Sequence, residues 1–184
     1  MKKGGGGGDK PLKAGSAFEE ETLATLIGSF NANGFDVVTI ENGKQSPRSI
    51  LLENKDKSEV ELFFKAAVHS NFFEPKGIYS KDFFSARLEP DTAIYSSKSN
   101  TLTIIEKKQQ TGAGSLAEKL QTCDYKMYYY KTLCKPLNIE IDLIWQLGPY
   151  FIEQESNLKS VFEYMLSKGS RYFFLEIPFS ELRI

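Results

Sequence analysis

The stretch Glu89-Pro90-Asp91-Thr92-Ala93-Ile94-Tyr95-Ser96-Ser97-Lys98-Ser99-Asn100-Thr101-Leu102-Thr103-Ile104-Ile105-Glu106-Lys107-Lys108 decides how the chain is read. Two β-type runs, Thr92 to Ser96 and Thr101 to Lys107, flank a short polar segment, a pattern that predicts a β-hairpin. Side chains alternate across a strand, so Glu106 and Lys108 share one face while Lys107 points to the other. Pairing the runs around the turn sets Asp91, at the outer end of the first, beside Glu106, at the outer end of the second. Two carboxylates and a lysine are therefore expected together at one rim of a sheet.

Downstream of the hairpin, Gly112 and Gly114 interrupt the chain, and a helical pattern then runs from Leu116 to about Leu133. Ser115 and Glu118 have the spacing of a capping box, and Pro136 marks the stop. Ile139 to Leu147 reads as a strand whose end is buried on both faces, followed by a helix over Leu158 to Leu166 and a last strand over Tyr172 to Ile177. Upstream, Phe18, Leu23, Leu26, Ile27 and Phe30 are spaced for an amphipathic helix that Asn33-Gly34 ends. Strands are expected over Asp36 to Ile40 and Ser49 to Leu52. A second helix is expected over Ser58 to Ser70, from the spacing of Val60, Phe63, Phe64, Ala67 and Val68. Residues 71 to 89 are aromatic and irregular and receive no assignment. Strands interleaved with helices, one hairpin among them, predict a mixed α/β fold with a central sheet. Residues 1–16 read as a flexible Gly/Lys-rich arm and 17–184 as a single domain, long enough to bury a core without disulfides.

Hydrophobic residues make up 41% of the chain and charged residues 26%, and no apolar run is long enough to span a bilayer. Met1 to Gly8 lacks the apolar stretch of an export signal. A cytoplasmic protein with no membrane partner is expected. Cys123 and Cys134 should be reduced thiols, about three turns apart on one helix and unable to bridge. The net charge of −1 carries no basic excess that would itself point to nucleic acid. His69 is the single histidine, which argues against Ser-His-Asp, Cys-His and zinc chemistry.

Carboxylates brought together repel, and a hard cation such as Mg²⁺ relieves the repulsion by taking oxygen ligands from both. Such an ion polarises a phosphoryl oxygen and activates water, while Lys108 can steady the developing charge. The plainer reading of Glu106 and Lys108 is a same-face ion pair at a sheet edge, which contributes little. Leu102, Ile104 and Ile105 weigh against it, because charges ending a buried strand need a reason.

Pro90-Asp91, a spacer of fourteen residues and Glu106-Lys107-Lys108 resemble the PD-(D/E)XK signature of type II restriction endonucleases and related nucleases. The resemblance covers roughly residues 88 to 147. It implies a restriction-endonuclease-like core, a central mixed β-sheet flanked by α-helices, and Mg²⁺-dependent cleavage of double-stranded DNA, often by a homodimer. Asp91 and Glu106 would be the metal ligands and Lys108 the catalytic lysine. A nuclease selective for DNA structure in repair or recombination, and a DNA-binding subunit that needs a partner, are the alternatives.

Secondary candidates surround this core. Glu19 is a further acid for the metal or a macrodipole partner. Gln110 falls on the face of Glu106 and Lys108 if the strand continues. Ser115 and Lys119 are candidate phosphate contacts at a helix start. Lys126 and Lys131, among Tyr125, Tyr128, Tyr129 and Tyr130, mix basic and aromatic side chains that could touch nucleic acid or form core and dimer contacts.

Overall fold

The structure, a computed structural model, describes residues 24–44, 47–110 and 116–184. The expected arm over 1–16, Glu19 and Ser115 lie outside the described residues. The chain is built on a seven-stranded sheet in which spatial order follows sequence order. Its strands are β1 (Phe35–Asn42), β2 (Pro47–Asn54), β3 (Glu59–Phe64), β4 (Thr92–Ser96), β5 (Thr101–Lys108), β6 (Glu140–Leu147) and β7 (Ser170–Phe174). The first five form an antiparallel meander, and β6 and β7 add parallel to it. The parallel joins need crossovers, which the helices supply.

Alternation sorts the side chains into two cores. One face of the sheet presents Phe63, Ala93, Leu102, Ile104, Leu143 and Trp145 to α3 (Cys123–Cys134) and α5 (Lys159–Ser167), with α2 (Leu116–Leu120) and α4 (Pro149–Glu153) completing that layer. The other presents Ile50, Leu52, Val60, Leu62, Ile94, Ile105 and Ile144 to α1, described over residues 24–32, and to the C-terminal segment around Phe179 and Leu182. Strands β5 and β6 are covered on both sides, so their residues are buried almost without interruption. Phe30 anchors α1 through edge-on contacts with Phe35 and Phe179, and Gly34, at φ 81°, turns the chain from α1 into β1.

The mixed α/β architecture, the hairpin and strands β1, β2 and β6 agree with expectation, but three elements differ. The helix expected over Ser58 to Ser70 is strand β3 followed by a single turn of π-helix at Val68–Phe73. Val60 and Leu62 are buried on one sheet face and Phe63 on the other, so a doubly covered strand imitated helical spacing. The long helix from Leu116 is two helices broken at Gln121-Thr122, where Thr122 Oγ1 donates to the Lys119 carbonyl at 2.8 Å. The last strand ends at Phe174 because Leu175 takes a left-handed φ of 62° and turns the chain away, while its N–H makes a final bond to Leu147 O of β6 at 2.8 Å.

After the π turn come 3₁₀ turns at Glu74–Lys76 and Ser80–Asp82 and then an irregular stretch to Glu89, with aromatic packing along the way. Phe84 stacks against Tyr129 at 4.4 Å. His69 is buried with its Nε2 2.6 Å from Leu88 O. Burial lowers its pKa below the ordinary imidazole value, an effect that the Leu88 hydrogen bond opposes. No helix among the described residues is long and apolar enough to cross a membrane.

Candidate active site

The hairpin register does what the sequence spacing requires. Thr92 lies opposite Ile105, so Asp91 comes next to Glu106 just beyond the paired segment. Asp91 is fixed there by backbone as well as charge, because its Oδ2 accepts the Lys107 N–H at 2.7 Å. Pro90 before it is buried, and its ring restricts the backbone at the entry to the strand.

Glu106 sits on the same face as Leu102 and Ile104, the face that α3 covers, and its side chain is only 3% exposed. A buried carboxylate needs compensation, and two ammonium groups provide it. Lys108 Nζ donates to Glu106 Oε2 at 3.1 Å and lies 3.6 Å from Asp91 Oδ2, bridging the two acids. Lys126, from α3, places its Nζ 2.5 Å from Glu106 Oε1. That oxygen is buried, and among the described residues no donor is aligned with it for a hydrogen bond. The floor is Trp145, which the parallel pairing of β5 and β6 sets opposite Glu106. Lys108 and Lys126 stand 5.5 Å and 5.7 Å from its ring centre, within cation–π range. Tyr130 closes the inner side. Burial first, and then the charges of Glu106 and Asp91, push its phenol well above the ordinary value, so it stays neutral.

Asp91, Glu106 and Lys108 are thus brought together. Lys119 Nζ donates to Gln110 Oε1 at 3.3 Å, so those two candidates pair with each other next to the end of β5. Among the tyrosines of α3, Tyr129 and Tyr130 are core, and Tyr125 and Tyr128 are exposed beside Phe84. Both cysteines are buried free thiols, and burial pushes Cys134 up to about 12, which makes it inert.

Two residues of the cluster, Lys126 and Trp145, were not assigned to it from the sequence. Lys126 was read as a candidate nucleic-acid contact, and only the break before α3 and the packing of that helix reveal its partner Glu106. Trp145 had a readable signal, since a parallel strand after the helix sets it level with Glu106.

The donor set is two carboxylates, and among the described residues no group of three or more Asp, Glu, His or Cys side chains is placed to hold a metal. That set suits Mg²⁺, which is bound through one or two carboxylates and keeps several waters for a phosphate to replace. It does not suit Zn²⁺, which takes three or four protein ligands. The buried, unaligned Oε1 of Glu106 is a ligand atom of the required kind. No protein-family model matches the chain, no curated protein matches its sequence, and no solved structure matches it.

Proposed function

We propose that the chain is a Mg²⁺-dependent endonuclease that hydrolyses phosphodiester bonds of double-stranded DNA, a PD-(D/E)XK enzyme acting as a homodimer on a specific sequence, as type II restriction endonucleases do. The observation that carries the reading is the meeting of Asp91, Glu106 and Lys108 at the rim of a buried sheet, on a hairpin whose backbone fixes Asp91. A surface ion pair does not account for a carboxylate that is 3% exposed and held by two lysines over a tryptophan.

Asp91 and Glu106 would hold the ion, which when bound supplies a polarised phosphoryl oxygen and a more acidic water. Lys108 is held between the two acids, where its charge can orient the attacking water and offset negative charge building on the phosphorus centre. Trp145 and Tyr130 keep the inner wall dry, which strengthens each of these interactions.

The test is incubation of the purified protein with plasmid and phage DNA, with Mg²⁺ or with EDTA, and separation of the products on a gel. Discrete bands that need Mg²⁺ are expected. A smear or cutting confined to branched DNA would replace sequence specificity with structure selectivity. No cleavage with any divalent ion would refute the nuclease as a self-sufficient enzyme and leave a binding subunit.

A further inference from the structure

We propose that Lys126 is a resident substitute for the metal: it occupies Glu106 Oε1 while no ion is bound and transfers to a phosphate of the DNA when the ion arrives. The inference rests on the metal-dependent reading above and adds a positioning residue and a coupling between metal and DNA.

Three observations lead to it. Both oxygens of Glu106 face an ammonium group, Oε2 that of Lys108 and Oε1 that of Lys126, so an ion reaching this carboxylate must displace one of them. Lys108 also lies against Asp91 and is tied to the hairpin that carries all three residues, whereas Lys126 comes from α3 and has Glu106 as its one carboxylate partner among the ion pairs of the described residues. Lys126 therefore gives up one ion pair by moving and Lys108 would give up two. The charges decide where the displaced ammonium goes. Asp91, Glu106, Lys108 and Lys126 balance to zero, and a divalent ion leaves the cluster with an excess of two positive charges. A phosphodiester strand is the anion that matches this excess, and Lys126, 18% exposed with Trp145 beneath it, stands where it can reach one. Metal and DNA should then strengthen each other's binding.

Trp145 is the only tryptophan, so its emission reports movement of the two ammonium groups beside it. The experiment titrates the full chain with Mg²⁺ and with Ca²⁺, following Trp145 emission and heat of binding, alone and with a short DNA duplex. Without DNA, Lys126→Met is expected to bind Mg²⁺ about tenfold more tightly than the wild type, the scale of one displaced ion pair. With the duplex, the gain in Mg²⁺ affinity seen in the wild type should largely vanish in this variant. Lys126→Arg should behave like the wild type, as should Lys159→Met, which removes the same charge from the exposed surface of α5. Lys126→Gln takes the place of Lys126→Met if the latter does not fold. Equal or weaker Mg²⁺ binding by the Lys126 variants overturns the proposal while leaving the metal reading intact. Equal binding by the wild type and Glu106→Gln shows that the metal reading has failed, and the proposal with it.

Discussion

Replacing Glu106 by glutamine keeps the shape of the side chain and removes the charge that two lysines compensate. Breaking a fully buried pair costs about 3–5 kcal/mol and an exposed pair about 0.2–1 kcal/mol. Lys108 is 27% exposed and Lys126 18%, so each retains part of its hydration, and the loss per lysine falls between these limits at about 1–1.5 kcal/mol. Glu106→Gln should therefore lower stability by about 2–3 kcal/mol, or by about 4–12 °C in Tm for a chain of this size. Removing one of the stranded cations should restore part of this, so that Glu106→Gln with Lys126→Met shows a coupling of about 1–1.5 kcal/mol between the two sites. Urea denaturation followed by Trp145 emission measures all four corners of the cycle. A loss below about 0.5 kcal/mol for Glu106→Gln, with no coupling, would refute the claim that the lysines hold this carboxylate in solution. Glu106→Ala is the poorer probe of catalysis, because it adds a cavity to the same uncompensated charges.

Asp91→Asn should keep the fold, since its amide oxygen can still accept the Lys107 N–H, yet lower DNA cleavage by at least about 100-fold; cleavage rates beside a thermal melt separate the two effects. Arg171 donates to both oxygens of Asp142, whose side chain is 3% exposed, and pairs with Glu181 at 2.7 Å. Arg171→Met should cost about 3 kcal/mol by stranding that carboxylate, with faster proteolysis after Phe174; unchanged urea midpoints would count against it. His69 has a folded pKa below its ordinary 6.5, so the unfolded chain takes up the proton first. The stability it confers is complete above pH 6.5 and is lost as pH falls from there through the depressed folded value. His69→Phe should flatten that part of the stability profile, as read from urea midpoints between pH 7.5 and 5.5, set about one unit either side of the ordinary imidazole value.

The hairpin was readable because period-two alternation and a polar turn coincide there, and the three site residues fall within it. The register from Thr92 to Ile105 carries the geometry with no help from the rest of the chain. Strand β3 was not readable, since a strand buried on both faces loses its alternation, and Val60, Phe63 and Phe64 then fit a helix as well as a strand. The π turn at Val68–Phe73 and the 3₁₀ turns after it follow no simple period, and aromatic contacts across the fold hold them, among them Phe63 with Phe72 and Phe84 with Tyr129. Lys126 escaped for a related reason. Its role depends on the break at Thr122 and on where α3 packs after it, and the helical pattern of the sequence, continuous from Leu116 to Leu133, showed neither.

Because each strand lies next to its successor in sequence, every strand after β1 leaves the ribosome to find its partner already made, and it always adds at the edge of the strand made just before it. Charge balance at the site follows a different timetable. Asp91, Glu106 and Lys108 emerge together on one hairpin, two acids with a single cation, while Lys126 and Trp145 follow later with α3 and β6. The nascent chain therefore passes through a stage in which this corner carries a net negative charge, and the docking of α3 brings it to neutrality.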